Sequence, residues 1–195
     1  MIKLGVTGGI GSGKSIVCEF LSLFSIPVFN SDAMAKELMD NSESLRVGLV
    51  NLLGNEAYRS GVLDRQYVAE RIFADKKMVE KVNSIVHPAV FDCFDRWCEV
   101  HCDSPVVACE SAILFECGMN RLMDKTLLVT APLEERIDRV IKRSGLKREQ
   151  VLERIGNQMS DDLKRDECDF VVTNGDVIPI IPQLLGVVKE INPDL

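Results

Sequence analysis

The chain has 195 residues, of which 46% are hydrophobic and 27% charged, a length that suits one domain with an ample core. That composition excludes a disordered tail and a disulfide-stapled miniprotein, and no apolar run approaches the roughly 20 residues needed to span a bilayer. With 23 basic against 30 acidic side chains the net charge is −7, which speaks against nucleic acid as a partner, because such binding relies on cations that neutralise phosphates, and with no spanning run no membrane partner is expected.

Taken in chain order, residues 2–7 form a short apolar run that ends in glycines and reads as a buried strand. The run is too short and too lightly flanked for an export signal, so a cytoplasmic location is expected. Ile16, Val17, Phe20, Leu21 and Phe24 recur at helical spacing after the glycines. Residues 26–29 predict a second strand, and Asn30, Ser31 and Asp32 offer caps for a helix from about Ala33. The stretch from 33 to about 102 is helix-rich, with loops near Gly54 and Ser60-Gly61 and an interruption or helix start at His87-Pro88. Strand character returns at 105–109 and 126–130; Pro132 opens an amphipathic helix to about Arg143, and 147–157 is a polar, basic helix. A last strand at 169–173 and a last helix at 178–191 complete an alternating pattern, which predicts an α/β fold with a mostly parallel sheet and a helical insertion after the second strand.

Seven scattered cysteines in such a chain read as reduced thiols. The cluster Cys93, Cys98, His101 and Cys102 lacks the close pairs of a zinc knuckle and is read as incidental. Residues 136–165 carry nine basic against five acidic side chains, a basic island in an acidic protein and therefore a candidate anion site.

Gly8-Gly9-Ile10-Gly11-Ser12-Gly13-Lys14-Ser15 fits G-x-x-x-x-G-K-[ST] at every fixed position, directly after a strand and before a helix. Glycines there let main-chain N–H groups converge on phosphate oxygens, Lys14 reaches the β- and γ-phosphates, and the Ser15 hydroxyl ligates Mg²⁺. The guanine clamp Asn-Lys-x-Asp of regulatory GTPases is absent, which argues against a switch-type NTPase. Asp32, at the end of the second predicted strand, is a candidate base for an attacking hydroxyl, and it could equally cap a helix.

The phosphate loop with Asp32 downstream resembles the dephospho-CoA kinase family. The phosphate loop with Asp32 is joined by Ser60-Gly61-Val62-Leu63-Asp64-Arg65, Ile85-Val86-His87-Pro88, Ile113-Leu114-Phe115-Glu116, Arg139 with Arg143, Arg154 with Gln158, and Asp169-Phe170-Val171-Val172-Thr173-Asn174, in order along nearly the whole chain. The resemblance implies ATP-dependent phosphorylation of the ribose 3′-hydroxyl of dephospho-coenzyme A, with ATP and Mg²⁺ as cofactors. It implies a three-layer P-loop NTPase fold on a five-stranded parallel sheet, and a monomer or weak homo-oligomer is expected. A core at about 1–31, 103–143 and 161–195 would carry a helical substrate-binding insertion at about 32–102 and a small helical lid at about 144–160. Implied ATP contacts are Gly9, Gly11, Ser12, Gly13, Lys14, Ser15, Ile16 and Asn174, the last near the adenine. Asp32, Lys14 and Arg139 are implied catalytic residues, and Asp32, Arg65, His87 and Glu116 implied substrate contacts. The bottom-up alternatives are that His87 is packed, that Arg65 pairs with Asp64 or another acid, and that Glu116 satisfies a buried loop. Three departures from the family pattern stand out: Ile16 where threonine is common, Asn30 where an acid is frequent, and Ala112 where proline is commoner.

Overall fold

A computed structural model describes residues 1–72 and 75–193. The chain divides into two compact units, one made of Met1–Asn30 with Val100–Leu195, the other of Ser31–Glu99.

The first unit is built on five parallel strands. These are β1 (Ile2–Thr7), β2 (Val28–Asn30), β5 (Val106–Glu110), β6 (Lys125–Thr130) and β7 (Phe170–Thr173), in the order β2-β5-β1-β6-β7. Parallel strands are covered on both faces and so read as near-continuous apolar runs, which is why β5 is buried at all five positions. The crossovers include α1 (Lys14–Leu23), α6 (Leu133–Ser144), α7 (Arg148–Gly156) and α8 (Asp161–Glu167), and α9 (Ile180–Ile191) follows the last strand. Val17 and Leu21 of α1 and Leu184, Val187, Val188 and Ile191 of α9 join Leu4, Val6, Val106, Leu127 and Val172 of the sheet in one core. A smaller cluster of Ile137, Val140 and Val151 holds α7 to α6, with Ile10 packed against it.

The second unit comprises α2 (Ser31–Asn41), α3 (Glu43–Leu53), the hairpin β3 (Tyr58–Arg59) and β4 (Val62–Leu63), α4 (Arg65–Ile72) and α5 (Lys76–Val100). Ser42 caps α3 by accepting from the Leu45 N–H. The Tyr58 and Tyr67 hydroxyls donate to the carbonyls of Met39 (2.7 Å) and Leu53 (3.0 Å), which fastens the hairpin and α4 to the ends of α2 and α3.

Two expectations, at His87-Pro88 and at the position of Asp32, need correction, and two stretches carry elements beyond those expected. His87-Pro88 neither breaks nor starts a helix: Pro88 lies inside the 25-residue α5. Its ring sits on the exposed side, while Val82, Val86, Val90, Phe94 and Cys98 form a buried stripe every four residues, so the lost ladder bond falls where water can replace it. The expected loop at Ser60-Gly61 is present, as the turn of a two-stranded hairpin with Ser60 and Gly61 both at positive φ. The second strand runs over Val28–Asn30, and α2 starts at Ser31 without a linker, so Asp32 lies in the first helical turn and is neither the strand's end nor the cap. Between 157 and the last strand a further helix, α8, opens at Ser160, whose hydroxyl accepts from the Leu163 N–H.

Candidate active site

In a parallel sheet the carboxyl ends of all strands gather along one edge, and ligands bind there. β1 is the central strand, flanked by β5 and β6, and the loop of residues 8–13 leaves from its carboxyl end into α1. Gly13, the residue before α1, is left-handed (φ 98°), and a Cβ on it would overlap the Asn174 side-chain amide. Only glycine meets both demands. The first N–H groups of a helix lack intrahelical partners, and the helix dipole adds positive potential at the start of α1.

The Lys14 ammonium donates to the Gly8 carbonyl (2.9 Å) and lies 3.7 Å from the Glu110 carboxylate, with both side chains nearly buried. Glu110 ends β5 and also accepts a 2.6 Å bond from the Asn30 side-chain amide, in register with it on β2. A lysine, a carboxylate and an amide thus converge at the carboxyl ends of β2, β5 and β1. Glu110 is not among the site residues expected from the sequence; its signal there is an acid closing an otherwise apolar strand. The Thr7 and Ser12 hydroxyls are buried under the loop with no hydrogen-bond partner among the described residues. Orphaned buried hydroxyls are costly in a purely structural turn and common where a ligand completes the bonding. Ser15 and Ile16 are exposed at the start of α1. The Ser15 hydroxyl and the Glu110 carboxylate are hard oxygen donors of the kind Mg²⁺ takes, directly or through water. Cys18, one turn further along α1, has its thiol pushed up to about 12 by burial and by the Glu110 charge, and so stays neutral.

Asn174 follows β7, its N–H donating to the Thr130 carbonyl (2.7 Å) and its side chain to the Ser12 carbonyl (2.9 Å). It therefore supports the phosphate loop itself. Arg139, on α6, has Nη2 on Glu135 (2.9 Å), whereas its Nη1 is buried without a hydrogen-bond partner among the described residues. Its neighbour Arg136, which the sequence reading did not single out, is the arginine that bonds the loop: Nε donates to the Ile10 carbonyl at 3.0 Å and Nη1 to Asp161 at 2.9 Å.

Among the described residues, four of the nine cations of the basic island are paired, Arg136 with an acid of the island itself and the other three with groups outside it. Besides those two arginines, Arg148 makes a bidentate bond to Glu134 (2.7 Å for both contacts), and Lys164, fully buried, reaches Glu116 at 3.0 Å and the Ala112 carbonyl at 2.8 Å. Glu116 also accepts from the Met159 N–H (2.8 Å), so it fastens a loop, the plainer of its two readings.

In the helical unit Asp32 is exposed in the first turn of α2, where a negative charge favours the helix. Arg65 pairs with Asp40 at 2.8 Å, while Asp64 pairs with Arg59 at 2.7 Å. His87 is half-buried and stacks on Phe91 with ring centroids 6.3 Å apart, and burial lowers its pKa.

The dephospho-CoA kinase family model matches residues 2–179. A dephospho-CoA kinase of Porphyromonas gingivalis is 38% identical over 192 residues, covering 98% of this chain and 95% of that one. Its counterpart in Bacteroides fragilis is 37% identical over 187 residues, covering 96% and 91%. A solved structure from Thermus thermophilus, 35% identical, superposes with a TM-score of 0.83 over 100% of this chain and 97% of that one. With a phosphate loop on the central strand and this likeness along almost its whole length, the chain belongs to the dephospho-CoA kinase family.

Proposed function

We propose that the residues around the loop carry out the family's reaction, transfer of the γ-phosphoryl group of ATP to the ribose 3′-hydroxyl of dephospho-coenzyme A, the final step of coenzyme A biosynthesis, as follows. The main-chain N–H groups of residues 9–15 and the Lys14 ammonium hold the β- and γ-phosphates, and Ser15 with Glu110 holds Mg²⁺, which neutralises phosphate charge when bound. Asp32 takes the proton of the 3′-hydroxyl as its oxygen bonds to the γ-phosphorus; the bond from that phosphorus to the β–γ bridging oxygen breaks, leaving ADP and coenzyme A. Arg139 stabilises charge on the transferring group, a role its unpartnered Nη1 supports. Residues 144–160 act as a lid that excludes water, which would otherwise compete as acceptor, and residues 32–102 take up the acceptor, with Arg65 and His87 as contacts. We assign Ile16 and Asn174 to the ATP side, Asn174 through its bond to Ser12. No helix among the described residues is long and apolar enough to cross a membrane, and a cytoplasmic monomer or weak homo-oligomer is the proposed form.

The observation that carries this reading is the complete G-x-x-x-x-G-K-S loop between the central strand and α1, with Lys14 set against Glu110. The Asp32→Asn variant tests it. Turnover is expected to fall by at least about a hundredfold, the lower range for removing a general base, while Mg·ATP binding persists. Near-normal turnover removes Asp32 from the chemistry.

A further inference from the structure

We propose that Arg136 and Gln158 are positioning residues for nucleotide binding, clamping the two main-chain polar groups of Ile10 and so fixing the shape of the phosphate loop. The inference rests on the reading that this loop holds the phosphates of ATP. Ile10 is the residue of the loop held from both sides: its N–H donates to Gln158 Oε1 at 2.9 Å, and its carbonyl accepts from Arg136 Nε at 3.0 Å. A peptide unit is planar and trans, so its C=O and N–H point in opposite directions. Drawing the Ile10 carbonyl toward Arg136 therefore turns the Gly11 N–H the other way, and drawing the Ile10 N–H toward Gln158 turns the Gly9 carbonyl away from Gln158. That carbonyl accepts the Ser12 N–H at 3.1 Å, which closes the turn. With glycine on both sides, these two peptides have little steric restraint of their own, and the side chains supply it.

The clamp has a firm base. The Arg136 side chain is 8% exposed, with Asp161 holding its Nη1. The guanidinium lies so close over Gly9 that a Cβ there would overlap it, and a Cβ on Gly11 would meet the Arg136 carbonyl. Gln158 precedes Met159, whose N–H is bonded to Glu116, and Glu116 is in turn held by the buried Lys164. The segment 158–164 is thus tied to the loop directly by Gln158 and through Arg136 by Asp161, and to the connection after β5 by Met159 and Lys164. A change in that segment reaches the loop through Ile10.

The test uses the full chain with Arg136→Met, Gln158→Leu, both together, and the conservative Arg136→Lys. The measurements are the Kd of Mg·ATP by calorimetry, KM for ATP and for dephospho-CoA, and Tm without nucleotide. Each single loss is expected to raise Kd and KM for ATP about tenfold, as for one misdirected donor, and to leave KM for dephospho-CoA unchanged. The double variant is expected to lose less than the product of the two, because both act on one residue, and Arg136→Lys to retain part of the affinity. A lowered Tm with unchanged Kd for Mg·ATP overturns the proposal and leaves a merely structural tie. Should Arg136→Met fail to fold, Gln158→Leu alone decides. Failure of the unmodified protein to bind Mg·ATP overturns the reading of the loop instead.

Discussion

Replacing Lys164 by Met gives a sharp test of what anchors residues 158–164. Lys164 is fully buried, and its ammonium makes a 3.0 Å ion pair with Glu116 and a 2.8 Å bond to the Ala112 carbonyl. Methionine has similar length and volume, so no sizeable cavity opens and the loss is electrostatic. Removing one partner of a fully buried pair costs about 3–5 kcal/mol. Here the Glu116 side chain is 26% exposed and keeps its bond to the Met159 N–H, so water and that N–H recover part of the loss. The expected destabilisation is about 2 kcal/mol, or a fall in Tm of about 4–8 °C for a chain of this size. Urea unfolding monitored by circular dichroism reads it, provided the slope m is unchanged. Glu116→Gln in the same chain is expected to recover part of the loss, since no charge is then left without its partner. A Lys164→Met variant within about 0.5 kcal/mol of the parent refutes the reasoning, because it would mean that the buried charge contributes no more than a surface one.

Two further outcomes follow from other ion pairs. Burial pushes the Asp169 carboxyl up, but bonds from Lys125 (2.9 Å) and from the Thr126 N–H (2.8 Å) and hydroxyl (3.0 Å) outweigh it and hold the pKa below the usual value. Its stabilisation is therefore present above the unfolded pKa of about 3.9 and lost as pH falls through the lower folded value. Asp169→Asn should cost about 1 kcal/mol at pH 7 and flatten the fall in stability between pH 5 and 2; an unchanged pH profile refutes this. Arg65→Ala breaks a pair whose arginine side chain is 47% exposed, so stability should change by less than about 1 kcal/mol, while KM for dephospho-CoA rises severalfold; an unchanged KM removes Arg65 from acceptor binding.

The phosphate loop was legible because its signal is local: glycines at fixed spacing between an apolar run and a helical one. The alternation of strands and helices gave the parallel sheet for the same reason. The hairpin at Tyr58–Leu63 escaped because two-residue strands carry no periodicity. Pro88 misled because the rule for the residue before proline is a local bias, and a buried valine stripe on the opposite side of α5 overrides it. Arg136 escaped for a different reason. It is one of nine cations in a basic stretch, and nothing in the order of residues shows that it folds over Gly9 while Arg148 turns to Glu134. Glu116 and Arg65 lie in family-like motifs, yet their ion-pair partners are Lys164 and Asp40, long-range pairings that only the fold reveals.

The order of strands has a consequence for how the molecule fluctuates. β1 is bonded along both edges, so its amides can exchange with solvent only when the sheet opens as a whole; β2, three residues long at the sheet's margin, can fray alone. The loop of residues 8–13 is therefore rooted in the strand that this order protects best. The strand after which α2 begins is bonded along one edge alone and is the first of the five to open.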